Sequence, residues 1–201
     1  MDILKKALAV LGMLILSAIP SFANQTSQTT ELSFTIPTYT KIYAVTSPVL
    51  MANITNRTGN MNAPLSTRFR VITNTAETQT LYLQAHVNTQ DGYESAMFEQ
   101  GGQVYVAFAS LSKMPTSSSL NNCKMGSMPK DSPGVVAYPV TSVYGASNKY
   151  IRGKNKYEIY ITEGKTDIVV NIGANVLRNS FAANDPRGYY QAILSLTEAD
   201  I

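Results

Sequence analysis

Apolar and polar side chains alternate with a period of two along most of this chain. Leu32, Phe34 and Ile36 take turns with Glu31, Ser33 and Thr35 until Pro37 stops the pattern. Leu81, Leu83, Ala85 and Val87 alternate in the same way with Tyr82, Gln84, His86 and Asn88. Such alternation marks a strand with one face buried. Stretches rich in Tyr, Thr, Val and Ile, which favour a pleated and half-buried surface, predict strands over 40–46, 67–74, 79–88, 103–109, 156–162, 166–173 and 188–197. Turn chemistry separates them. Gly101 and Gly102 suit a β-turn, 75–78 is expected to link two antiparallel neighbours, and 162–167 reads as a hairpin. Pro186 and Gly188 stop one segment and launch the next. No stretch carries a sustained 3.6-residue period with caps, so helices are expected to be short or absent. The fold class that follows is all-β, a β-sandwich of about seven to nine strands, with a closed barrel as the alternative.

The N-terminus departs from this pattern. Lys5 and Lys6 precede the apolar run Ala7–Ile19, and small residues stand at Ser21 and Ala23. A basic start, a short apolar stretch and a small-residue cleavage site make a secretory signal. The run is shorter than the roughly 20 apolar residues that span a bilayer. The expected organisation is a signal peptide over 1–23, an N-terminal extension over 24–36 and one β-sandwich domain over 37–201. Removing 1–23 leaves 178 residues with 14 basic and 12 acidic side chains. That balance offers no electrostatic case for nucleic acid or an anionic membrane. An exported chain is free to use disulfides, yet Cys123 is the only cysteine. The fold must therefore hold by packing, and Cys123 reads as an incidental loop thiol, with intermolecular pairing as the alternative.

Two segments resist the strand pattern. Residues 110–134 are rich in Ser, Pro, Gly, Asn and Lys and read as a long loop. Residues 142–157 cluster lysines and Arg152 among tyrosines. There Tyr144, Tyr150, Lys154 and Tyr157 form a candidate surface contact for an acidic or carbohydrate partner, against the plainer reading of a solvated basic loop. Catalytic inventory is thin. His86 is the only histidine and sits mid-strand, read as facing solvent. No nucleophile elbow surrounds any serine, and one histidine with one cysteine cannot build a typical zinc site. The acids fall mostly at strand ends and turns, and no glycine-rich phosphate cradle is present. No enzyme, cofactor or metal is expected.

An alternating strand directly behind a polar N-terminus (24–30) then asks for a partner. An extended segment that completes another domain's sheet gains affinity from main-chain hydrogen bonds and specificity from alternate side chains. The order of features resembles a chaperone–usher pilin, nearest to the disulfide-free alpha-class colonisation-factor fimbriae. It rests on the polar N-terminus and strand stopped by Pro37, the paired-strand stretch 69–84, the mid-chain 101–108, and the final strand 188–197 behind a Pro-Arg-Gly turn. Glu198–Ile201 departs from it by breaking the alternation. The resemblance implies an immunoglobulin-like sandwich that lacks one strand. It implies a fimbrial subunit for adhesion, carried through the periplasm by a chaperone and passed by an outer-membrane usher to neighbouring subunits at the cell surface, where a host receptor is a further partner. Leu32, Phe34 and Ile36 would be the donated strand, and Tyr190, Ala192, Leu194 and Leu196 would line the acceptor groove. The rival account keeps Leu32–Ile36 at home, in a monomeric surface binding module.

Overall fold

Twelve antiparallel strands follow one another in a computed structural model that describes residues 35–46, 49–54, 58–127 and 133–199. They are β1 (Thr40–Ala44), β2 (Val49–Ile54), β3 (Leu65–Thr73), β4 (Gln79–Thr89), β5 (Gly92–Ser95), β6 (Met97–Gln100), β7 (Gln103–Ser110), β8 (Val135–Tyr144), β9 (Ser147–Ile151), β10 (Lys156–Ile161), β11 (Gly164–Ile172) and β12 (Gly188–Glu198). One described helix, α1 (Ser117–Lys124), lies between β7 and β8. The fold is all-β and sandwich-like, as the alternation predicted, with more strands than the seven to nine expected. The sandwich lies within one compact unit, Pro37–Ile201.

The strands form two layers that share β8. The first layer runs β1-β3-β11-β8, and the second runs β8-β7-β12-β4-β10-β9. Val135–Pro139 pairs with β7, whereas Val140–Tyr144 pairs with β11 across a register shift. Pro139 sits at the changeover, where a residue without an N–H is tolerated because the ladder is already interrupted. Tyr138, just before it, is fully buried and packs edge-on against Phe108 at 5.5 Å. Its hydroxyl donates to the Gly59 carbonyl, which satisfies a polar group that would otherwise cost free energy in the core. Burial lifts the Tyr138 phenol well above its ordinary range.

β5 and β6 are one bent run. Its first part pairs with β4 and its second with β7. At the bend, Ala96 donates to the Ala85 carbonyl and Ala107 donates to that of Ala96, both at 2.8 Å. All three alanines are fully buried, and their small side chains let the backbones approach at this corner. Because β12 also pairs with β4 and β7, these strands hydrogen-bond in a ring. The hairpin between β6 and β7 turns through Gly101 (φ 59°) and Gly102 (φ 79°). Two positive φ values suit the tight turn whose twist matches its strands.

Three sequence expectations change. Residues 75–78 do not link paired neighbours, since β3 pairs with β1 and β11 while β4 pairs with β12, β10 and β5. The 162–167 segment is not a hairpin either: β10 pairs with β4 and β9, and β11 with β3 and β8. Both segments carry the chain from one layer to the other, a choice that turn residues do not encode. Thirdly, Cys123 is not a loop thiol. It lies on α1, whose first turn is capped by Thr116 accepting from Ser119 N–H at 3.1 Å. Cys123 and Leu120 are fully buried, and burial pushes the thiol up to about 12, so it stays protonated.

Candidate functional site: the edge of the last strand

β12 places Tyr190, Ala192, Leu194 and Leu196 on its inner face. They are 0, 0, 1 and 7% exposed, so they belong to the chain's own core rather than lining an open groove. Tyr190 also donates its hydroxyl to the Pro186 carbonyl at 2.8 Å, locking the turn before the strand. What β12 leaves without a described partner strand is part of one edge. One edge of the strand pairs with β4 from Ile193 to Glu198 and with β7 at Tyr190 and Gln191. The opposite edge pairs with β2 from Gly188 to Ile193. Beyond Ile193, no strand among the described residues covers that second edge.

The reason lies in the path of the chain before β2. Val45 and Thr46 donate to the Arg68 carbonyl at 2.9 and 3.3 Å, on the other layer. β1 likewise pairs with β3, Thr40 opposite Thr73 through Ala44 opposite Phe69. The chain thus serves the first layer with β1 and reaches β12 only from Val49 on. Antiparallel pairing brings β1 and the C-terminal half of β12 to the same end of the sandwich, where Thr40 bonds Gln79 at 2.6 Å and Ala199 donates to Thr80 at 3.0 Å. Near that end, Thr75, Thr80 and Glu198 help line a cleft of about 320 Å³.

The three residues predicted to be donated fare differently. Leu32 and Phe34 lie outside the described residues. Ile36 is 66% exposed, immediately before the sandwich begins. Asn74 fixes that beginning: its side chain donates to the Pro37 carbonyl at 3.0 Å and accepts from Tyr39 N–H at 2.7 Å.

The predicted surface cluster comes apart. Tyr150 faces Tyr157 across the β9–β10 pair, which in turn faces Leu83, and all three are on the inner side of the layer. The two rings meet edge-on at 5.1 Å and pack against the core. Burial pushes both phenols up to about 12. They extend the core instead of offering a contact. Lys154 is exposed in the short 3-10 turn Arg152–Lys154. Tyr144 is 52% exposed on the other layer. His86 is partly buried, stacked on Tyr93 at 5.1 Å, and desolvation holds its pKa below the usual value.

A different set of residues is brought together, of which sequence reasoning had named only Tyr144. On the outer side of the first layer, Lys41, Ile72 and Lys165 form one cross-strand row, and Tyr43, Arg70 and Asp167 form the next. Arg68, Val169 and Tyr144 form a third. The signal was present: Arg68 and Arg70 alternate with the buried Phe69 and Val71. No known protein family, curated protein or solved structure matches this chain. Chemically, the described residues offer two features, a strand edge partly without a described partner and a cationic, aromatic sheet face.

Proposed function

We propose that this chain is a structural subunit of a bacterial surface fimbria, assembled by strand donation between subunits, and not an enzyme. The observation that carries this reading is the outer edge of β12, fenced by β2 as far as Ile193 and without a described partner strand beyond it. A sheet edge with unsatisfied N–H and C=O groups is a template for another strand. Main-chain bonds along it supply affinity, and alternating side chains supply register. Leu32, Phe34 and Ile36 have that alternation, ahead of a proline that ends it. In this account the signal peptide exports the chain, a periplasmic chaperone occupies the open edge, and an usher exchanges it for a neighbour's 24–36 segment at the cell surface. The immunoglobulin-like, one-strand-short description belongs to the same reading.

The test is deletion of 24–36 downstream of the signal. Secretion should persist while denaturation-resistant multimers vanish from surface extracts. Multimers that survive the deletion refute the proposal.

One observation favours a second reading, a monomeric surface-exposed binding module. Leu194 and Leu196 are already buried, so the inner face of β12 has little left for a donor to cover. A full-length protein that folds cooperatively as a monomer, with no chaperone, supports that alternative.

A further inference from the structure

The outer face of the first layer holds more positive charge than its surroundings balance. Lys41, Arg68 and Lys165 are exposed, and none is ion-paired among the described residues. Asp167 is the one acid in the three rows, and it is taken: Arg70 grips it through two bonds of 2.7 and 3.0 Å. Both Arg68 and Lys165 act electrostatically on that carboxylate. Three tyrosines stand among these cations, with Tyr39, Tyr43 and Tyr144 exposed by 42, 46 and 52%. Lys41 places its ammonium 5.7 Å from the Tyr39 ring.

The sheet sets the spacing. Lys41 and Lys165 flank Ile72 in one row, so their Cα atoms are about 10 Å apart at the usual strand separation. Arg68 lies four residues along β3, about 13 Å from that row. We propose that this face binds a linear anionic polysaccharide, with Lys41, Arg68 and Lys165 taking its sulfate or carboxylate groups and Tyr43 and Tyr144 lying against its sugar rings. Aromatic side chains with a polar tip cover large, rigid, amphipathic area, which suits a ring with one apolar face and hydroxyls at its rim. The layout argues against a duplex. Duplex DNA is a stiff cylinder, which meets a flat sheet along one line and cannot reach cations spread in two directions. A single flexible polysaccharide chain can bend to meet them. This site does not depend on the open edge of β12.

The experiment measures binding of the purified protein to heparin oligosaccharides, with neutral dextran, phosphatidylserine vesicles and duplex DNA as comparison probes. The expected result is salt-sensitive heparin binding, with dextran, vesicles and DNA bound at least about ten-fold more weakly, a difference of about 1.4 kcal/mol. The triple variant K41Q/R68Q/K165Q should lose about ten-fold or more in affinity while keeping the circular dichroism of the parent. Tyr43→Ala should weaken binding by a few-fold and leave its salt dependence unchanged. The control K149Q/K156Q, on the opposite layer, should stay within about two-fold. Absent heparin binding, an unaffected triple variant, an equal loss in the control, or equal binding of vesicles or DNA would each overturn the proposal.

Discussion

The two outer faces of this sandwich are made from the same ingredients and arranged to opposite effect. On the second layer, several cations have an acid or a ring close by or across the strand pair. Lys149 stands directly opposite Glu158 in the β9–β10 pair, and Lys156 sits 3.0 Å from the centroid of the Tyr82 ring. Nearby, Arg152 grips Glu99 through both carboxylate oxygens. On the first layer, Lys41, Arg68 and Lys165 face Ile72 or Val169 instead of an acid. Opposite charges across a strand pair stabilise a sheet modestly, and an unpaired cation is available to something outside. The same period-two pattern therefore produces one face where acids and rings stand near the cations and another where apolar residues stand opposite them.

Behind both faces lies one core, and the comparison breaks if that is false. Leu83 on β4 and Ile168 on β11 are fully buried on the inner sides of opposite layers. Truncating either to Ala should cost about 2–5 kcal/mol, the lost transfer free energy plus a cavity term. Urea denaturation should give similar midpoint losses for the two variants. A loss confined to one layer would mean the layers unfold separately. Next in size is the strand that joins them. Tyr138→Phe removes the hydroxyl bonded to Gly59 and leaves a buried carbonyl short of a donor, at about 1–2 kcal/mol. Calorimetry should show one transition, shifted down.

The faces should also separate by pH. On the second layer, desolvation lowers the His86 pKa. The unfolded chain takes up the proton first, so this stabilisation is complete above about pH 6.5 and is lost as pH falls below it. On the first layer, the Arg70 hydrogen bonds hold Asp167 below its ordinary range. Its contribution is present above about pH 3.9 and is lost as pH falls through the folded value. Stability followed against pH should show the upper step disappear in His86→Phe and the lower step shrink in Asp167→Asn. A pH profile indifferent to both substitutions would contradict these assignments.

Strong alternation made β3, β4, β10 and β12 legible, because each has one face more buried than the other, whereas β7 was legible by its run of Val, Tyr and Phe and is buried on both faces from Val106 on. β8 escaped. Its first four residues are all buried, so Val135–Tyr138 has no alternation to read, and Pro139 imitates a break. β5 and β6 escaped because the bend at Ala96 cuts them to four residues each. α1 is short and polar, and its cap Thr116 stands in a run of serines that reads as a loop. The misplaced surface cluster has a plainer cause. Tyr150 and Tyr157 follow Lys149 and Lys156, and the basic neighbours suggested a surface, although the same alternation sends each tyrosine inward. The edge of β12 was legible as a strand. Its half-fenced state was not, since nothing local in 40–54 says that β1 joins one layer and β2 the other.

The smallest expected effect is also the most direct test of the contrast between faces. Glu158 is the acid that stands opposite Lys149 in the register, and its carboxylate accepts the Tyr160 hydroxyl at 2.9 Å. Glu158→Gln keeps an acceptor for that hydroxyl and removes the charge, so the fold should be unaffected while Lys149 loses its cross-strand partner. The second layer then acquires an unanswered cation of the kind the first layer already has. A single exposed charge changes a contact by about 1 kcal/mol or less, so affinity for heparin oligosaccharides should rise by about two- to three-fold. Lys149→Gln in the same background should cancel the gain. If Glu158→Gln leaves heparin binding unchanged, register alone does not decide which face looks outward, and the isolation of Lys41, Arg68 and Lys165 loses its meaning.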